Sequence, residues 1–343
     1  MRKNYISDNK VLEKMYESTK FVGDNKIAQQ ASFVNCKIIN SSILVSCHFE
    51  NLCIKNAIIT ENPFKTKTFQ QNFVKHFDKN FFDDIKIAIG GQSIELVLEA
   101  KNLFEELHAD ILLLDSGENF LVDTFAKNML KHKAKIGFWF ASNKKEVLAI
   151  NCKGQILFGD EILYLMSWWL NTQNKLTSRQ VLGGVEISLG IENKLKSLGI
   201  DLKRLTANQN ISEGFAENNF VLAATTSGEV HLDWEKQHFC NPILTSRILA
   251  SIYLQNQNIW IKAKENKYVQ IIKEIELSKN LGDSELSIVK TITDFYALKL
   301  KNMGRVLFWV KSKKLYVLVE SLEKSTATLL AVELKKKLTK FLR

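Results

Sequence analysis

Between Ile85 and Thr177 short apolar runs alternate with segments of helical spacing, and this alternation constrains the fold more than anything else in the chain. Ile85–Ile89, Asp110–Leu114, Ile136–Phe140 and Val147–Ile150 read as strands, and Ile94–Leu107, Val122–His132 and Glu161–Leu170 as helices. Strands separated by helices become parallel neighbours, because a parallel pair needs a long crossover. Ile136–Phe140 is apolar at every position, as a strand covered on both faces must be. The segment therefore predicts an α/β layer structure with a mainly parallel sheet and helices on both sides. Residues 178–263 repeat the theme, and a smaller sheet with two helices follows. Gly90-Gly91 predicts a tight turn, since the third glycine and the lysine of the phosphate-binding fingerprints are missing.

The beginning is different in character. Residues 1–30 are polar and charged, with at best a helical stretch over Asn9–Thr19. From residue 31 to 60, Val34, Ile39, Leu44, Phe49, Ile54 and Ile59 recur with a period of five. Two readings fit: ordinary strands separated at Asn40-Ser41 and Asn51, or a fragment of a β-solenoid whose short sides each point one residue inward. Either set is too short to close its own core, so its edge predicts cover from residues 61–84, a protein partner, or self-association through residues 31–60.

Several function classes lose support from composition. A chain of 343 residues with 45% hydrophobic content can bury a large core in two or three domains. The first ten residues lack an apolar leader core and no run approaches the roughly 18 apolar residues of a membrane span, so the cytoplasm is the expected location. Cys36, Cys47, Cys53, Cys152 and Cys240 form no C-x-x-C pair, which predicts buried thiols and neither a disulfide framework nor a zinc motif. The net charge of +10 invites a nucleic-acid or other anionic-polymer partner. The dense run Lys335–Arg343, however, follows the helical stripe Ala327, Leu330, Leu334, Leu338 and Phe341, so its lysines are read as a solvated outer face. His231, His238 and Cys240 match no common ligand spacing and are read as a polar loop or a satisfied core histidine. Asp115, Glu118 and Asp123 are read as solvated loop acids, and Trp168-Trp169 as packing between layers.

Four stretches carry a resemblance, and they stand in one order. Gly137-Phe-Trp-Phe-Ala-Ser-Asn-Lys-Lys-Glu146 precedes Lys153-Gly154-Gln155-Ile156 and Gly159-Asp160-Glu161-Ile162-Leu163. Gly184–Glu192 with Leu198-Gly199-Ile200 comes next, then Thr225-Thr226-Ser227-Gly228-Glu229, then Arg305–Glu320. The set resembles the α-D-phosphohexomutase superfamily, over residues 84–343. The resemblance implies two α/β/α domains (residues 84–177 and 178–264) and a small C-terminal α+β domain (residues 265–343). A short β-rich segment precedes them in residues 1–70, as a first-domain remnant or a small solenoid fragment.

What the resemblance implies for chemistry is erosion. The family's three metal-binding aspartates fall on Ala141, Asn143 and Lys145, and an octahedral Mg²⁺ needs hard anionic oxygens. In the sugar-selecting loop Ser227 and Gly228 remain, but the family's Glu is Thr225 and its His is Glu229. The phosphate loop is about two residues shorter, leaving Lys311, Ser312, Lys313 and Lys314, with the family's Arg replaced by Trp309 or Val310. The phosphoserine domain is mostly absent from this sequence, with Cys47-His48 as its last trace. The expected protein is a pseudoenzyme with a binding or structural role, without cofactor and with no catalytic residue. The alternative is an active phosphosugar enzyme with replaced groups, and only that reading calls for Mg²⁺. Weak binding of phosphate or sugar phosphate is expected between Ser227-Gly228 and Lys311–Lys314, and an anionic-polymer binder is the third reading.

Overall fold

The computed structural model describes strand residues between Lys14 and Ile59, and residues 82–342 apart from 84, 118, 206–208, 218–219, 235–236, 266–267, 302 and 312. The chain divides into two units, residues 1–81 and 82–343. In the first, β1 (Lys14–Glu17), β2 (Lys20–Val22), β3 (Lys26–Ile27), β4 (Ala31–Val34), β5 (Lys37–Ile39), β6 (Ser42–Ile43), β7 (His48–Glu50), β8 (Cys53–Lys55) and β9 (Ile58–Ile59) are all short. They form three parallel sheets, β1-β4-β7, β2-β5-β8 and β3-β6-β9. Lys14 pairs with Ala31, 17 residues on, and Ser32 with His48 and Ser42 with Ile58, each 16 on. A chain that meets itself every 16 to 17 residues on three separate sheets is winding as a three-sided coil. The first described strand lies inside the stretch read from sequence as helical: Lys14–Glu17 pairs with Ala31–Val34, and that pairing overrides a weak local preference.

The second unit opens with two sheets of one topology. β10 (Lys86–Gly91), α1 (Ile94–Glu106), β11 (Asp110–Ser116), α2 (Val122–Lys131), β12 (Ile136–Phe140), β13 (Val147–Ile150), β14 (Ile156–Leu157) and α3 (Gly159–Thr172) build the first repeat. Its strand order is β11-β10-β12-β13-β14, parallel as far as β12 and antiparallel beyond. The second repeat contains β15 (Gln180–Gly183), α4 (Leu189–Ser197), β16 (Asp201–Arg204), α5 (Ile211–Glu217), β17 (Leu222–Ala224), β18 (Val230–Trp234), β19 (Gln237–Phe239), α6 (Pro242–Gln255) and α7 (Gln257–Lys264). Its order, β16-β15-β17-β18-β19, is the same. The closing helices tie the repeats together: α3 packs on β17 as well as β13 and β14, and α6 on β12 and β13. Both are therefore buried on nearly every side, with Trp169 of α3 stacked on Trp234 of β18 at 5.3 Å.

Gly90 and Gly91 do not make the tight turn that the sequence suggests. They end β10, where a Cβ on Gly91 would lie 2.3 Å from the Phe140 carbonyl, so the glycine permits close approach of two strands. Asp115 likewise lies in β11 and Asp123 in the first turn of α2, not in one loop; Glu118 is outside the described residues.

The last layer is antiparallel. β20 (Val269–Glu276), α8 (Asp283–Lys299), β21 (Gly304–Lys311), β22 (Lys314–Ser321) and α9 (Lys324–Phe341) form the sheet β20-β22-β21 with two helices. Leu330, Leu334 and Leu338 of α9 close a core with Leu315, Val317 and Val319, while Lys335, Lys336 and Lys337 are exposed. Phe341 is 38% exposed and stands outside that core.

Candidate functional site

The equivalent hairpin loops of the two repeats meet. Residues 141–146 join β12 to β13, and residues 225–229 join β17 to β18. Glu146 and Glu229 form an antiparallel bridge, and the Val147 N–H donates to the Gly228 carbonyl at 3.1 Å. Gly228 has φ +98°, and a Cβ there would lie 2.3 Å from the Val147 carbonyl, so the contact requires glycine. The start of α3 seals the junction: the Gly159 N–H donates to the Thr226 carbonyl at 3.0 Å.

The first loop is held by short-range hydrogen bonds and one ion pair. Ala141 is buried and supplies no donor atom. Asn143 Oδ1 accepts from the N–H groups of Lys145 (3.0 Å) and Glu146 (3.3 Å), the short-range turn that asparagine favours. Lys144 pairs with Glu95, and Ser142 N–H donates to Gln92 Oε1 at 3.4 Å. A methyl group, an engaged amide oxygen and a cation do not fit Mg²⁺, which takes anionic or carbonyl oxygens in octahedral array.

The second loop is a tight turn. Thr225 Oγ1 lies 2.9 Å from Ser227 Oγ and accepts from the Glu229 N–H at 3.2 Å. Beyond it, Glu229 and His231 stand two residues apart along the strand direction, hence on one face. The β18–β19 pairing of Leu232 with Phe239 runs on to set Cys240 opposite His231 and His238 diagonal to it. Glu229 Oε1 lies 3.1 Å from His231 Nε2 and accepts from Cys240 Sγ at 3.7 Å, and His231 Nδ1 lies 2.8 Å from His238 Nε2. Phe215 of α5 stacks on the His238 ring at 4.8 Å. Hydrogen bonding from His231 holds the Glu229 carboxyl below the usual range, with the charge of Lys145 adding and partial burial opposing. Burial, and then the neighbouring His231, push His238 below the ordinary imidazole value.

A third group of residues fixes the last layer to the second repeat. Glu320, wholly buried on β22, accepts from Ser188 Oγ (2.7 Å), the Leu189 N–H (2.9 Å) and Arg305 Nε (2.8 Å). Asp160, at the start of α3, accepts from the Ser188 N–H at 2.7 Å. Its carboxyl is pushed up to about 7 by burial, against that hydrogen bond, with Glu161 and Glu320 adding to the rise and Arg204 opposing it. The opposite end of the sheet carries the lysines. Lys311 pairs with Lys314 in register, so Trp309 and Val310, read from sequence as phosphate-loop positions, lie within β21. Trp309 stacks on Tyr316 at 5.4 Å, and the loop is reduced to a two-residue turn with Lys313 at φ +56°. Lys314 pairs with Glu274 at 2.9 Å, and Lys313 O accepts from the Leu277 N–H, so these contacts of the tip run within its own sheet.

No family model matches the chain. It is 25% identical over 320 residues to a phosphoglucosamine mutase of Prochlorococcus marinus (strain AS9601), covering 84% of this chain and 70% of that protein. Other phosphoglucosamine mutases are matched over 46% to 61% of their length, so the chain spans roughly half of most of these relatives. A phosphoglucomutase/phosphomannomutase family protein from Burkholderia thailandensis superposes with a TM-score of 0.62 at 15% identity, over 87% of this chain and 66% of that one. N-acetylphosphoglucosamine mutase of Aspergillus fumigatus, solved with GlcNAc-6P and magnesium, gives 0.58 at 11% identity, over 78% and 69%. The chain is α-D-phosphohexomutase-like. Of the positions this phosphohexomutase-like chain was read to hold, Ala141, Asn143 and Lys145 are brought beside Thr225, Ser227, Gly228 and Glu229. Lys311, Lys313 and Lys314 sit at the hairpin tip, with Ser312 outside the described residues. Cys47 also lies outside the described residues, and His48 begins β7. Sequence reading missed the Glu229 cluster and the Glu320 seam. The first was half legible, since His231, His238 and Cys240 stand close in sequence and the β18–β19 register joins them to Glu229; the second joins residues 132 apart and has no local signal.

Proposed function

We propose that this phosphohexomutase-like chain is non-catalytic and keeps the α/β/α frame for a binding or structural role. The observation that carries the reading is the loop 141–146, where an asparagine turn and the Lys144–Glu95 pair support a hairpin in place of three carboxylates. Nucleophile and metal act together in metal-assisted phosphoryl transfer, and residues 1–81 carry no recognisable phosphoserine setting. On this reading the chain needs no cofactor. A cytoplasmic, bacterial protein is in keeping with it, and among the described residues no helix is long and apolar enough to cross a membrane.

The role we infer for residues 31–60 is contact with a protein partner or a second copy, since among the described strands β7, β8 and β9 each pair on one side only. Deleting residues 1–60 then changes solubility or mass state, and a deletion variant that stays monodisperse at unchanged mass state argues against this role. Any small ligand is a weakly held phosphate or sugar phosphate near Ser227-Gly228. The test of the main reading is a coupled assay with glucose, mannose and glucosamine phosphates, with Mg²⁺ and with chelator. The expected result is no turnover; turnover that vanishes with chelator favours the active enzyme.

A further inference from the structure

We propose that Glu229, His231 and Cys240 form a site for a borderline divalent transition-metal ion, with zinc as the best fit, at a place distinct from the family's aspartate loop. The donor atoms are Glu229 Oε1, His231 Nε2 and Cys240 Sγ, and the three lie within 4.8 Å of one another. The Glu229 oxygen is 3.1 Å from His231 Nε2 and 3.7 Å from Cys240 Sγ. With metal–ligand bonds of about 2.0–2.3 Å, the edges of a tetrahedron are roughly 3.3–3.8 Å, so small side-chain shifts complete the geometry.

The chemistry of the donor set selects the ion. A carboxylate, an imidazole and a thiol suit zinc or cobalt, whereas Mg²⁺ prefers oxygen alone. Three protein ligands leave the fourth position of a tetrahedral ion for water or a ligand oxygen. At present Glu229 is bridged to its two neighbours through hydrogens. On binding, the ion takes the place of the Cys240 thiol proton, which leaves to solvent, and His231 ligates as its neutral Nδ1–H tautomer, any proton on Nε2 passing to Nδ1. The ion's two positive charges then match one carboxylate and one thiolate.

The surroundings are arranged as ligand histidines require. His231 is 1% exposed on a central strand and cannot swing away. With Nε2 on the metal, its Nδ1–H donates to His238 Nε2, at 2.8 Å, and Phe215 stacks on the His238 ring at 4.8 Å and fixes its plane. A second partner of this type fixes ring orientation and tautomer. The site depends on the hairpin register of β18 and β19 and holds whether or not the chain is a mutase.

The test uses the full-length reduced protein, stripped with chelator and titrated with Co²⁺ as an optical probe. We expect one equivalent to bind with a thiolate-to-cobalt charge-transfer band in the near ultraviolet, displaced by Zn²⁺ and not by Mg²⁺. Cys240→Ser removes the band while Cys152→Ser keeps it. Glu229→Gln raises the apparent Kd at least tenfold, and His238→Phe, which preserves the stack, raises it roughly 10–100-fold with the band retained. Should Cys240→Ser fail to fold by circular dichroism, Glu229→Gln decides alone. A band that survives Cys240→Ser, Glu229→Gln binding as tightly as wild type, equal displacement by Mg²⁺, or no stoichiometric binding overturns the assignment.

Discussion

Replacing Glu320 with alanine removes one carboxylate that three donors from two layers share. Its oxygens accept from Ser188, Leu189 and Arg305 at 2.7, 2.9 and 2.8 Å, and the residue has no exposed surface. The Arg305 side chain is only 14% exposed and would be left without its counter-charge. Breaking a buried pair from one side costs about 3–5 kcal/mol, because the remaining charge stays desolvated. That is a large part of the roughly 5–15 kcal/mol that holds a domain folded. Glu320→Gln keeps an acceptor for Ser188 and Leu189 and should lose distinctly less. Urea unfolding by circular dichroism gives the total loss. Hydrogen exchange locates it, with protection falling first in residues 186–190 and 304–321, since a chain of several layers need not unfold in one step. In a double-mutant cycle with Arg305→Ala the two losses should fall short of additive by about 2 kcal/mol. A Glu320→Ala loss below about 1 kcal/mol, or strict additivity, would show that the seam does not hold the last layer.

Other residues give sharper tests of particular contacts. The folded carboxyl of Asp160 titrates near 7, above its unfolded value near 4, so the native state binds the proton more tightly and Asp160 lowers stability progressively as pH rises through that window. Asp160→Asn should flatten the urea midpoint between those pH values and be more stable than wild type above them; an unchanged slope would place the titration elsewhere. Gly159→Ala puts a Cβ 1.7 Å from the Thr225 carbonyl and should cost about 3 kcal/mol or prevent folding, whereas a thermal midpoint within a degree or two of wild type would mean that α3 is not seated on this loop. Ala141→Asp, Asn143→Asp and Lys145→Asp together should yield no mutase turnover in the coupled assay, because ligands alone supply no phosphoryl acceptor.

The first repeat was legible because its strands are continuous apolar runs: Ile136–Phe140 and Val147–Ile150 have the same limits in sequence and structure. α3 begins at Gly159, where the resemblance opens a helix and two residues before the apolar pattern of Glu161–Leu170, and contacts with Thr226 and Ser188 hold Gly159 and Asp160 in it. The coil of residues 14–59 was only half legible. Its first turn is marked by Lys14, Lys20 and Lys26, so the apolar period of five starts later than the strands do. The last hairpin was read with its loop too long, since Trp309 and Val310 resemble loop positions only by alignment, while pairing with Tyr316 and Leu315 keeps them in the strand. His231, His238 and Cys240 match no ligand spacing along the chain, yet antiparallel register across β18 and β19 brings them together with Glu229.

Single-turnover ³¹P NMR tests the proposal that a phosphohexomutase-like frame persists here without mutase chemistry. Full-length protein at a concentration equal to that of a hexose 6-phosphate, with Mg²⁺, should leave the 6-phosphate signal as the only sugar phosphate resonance. A 1-phosphate signal that grows with time and is abolished by chelator would contradict the account.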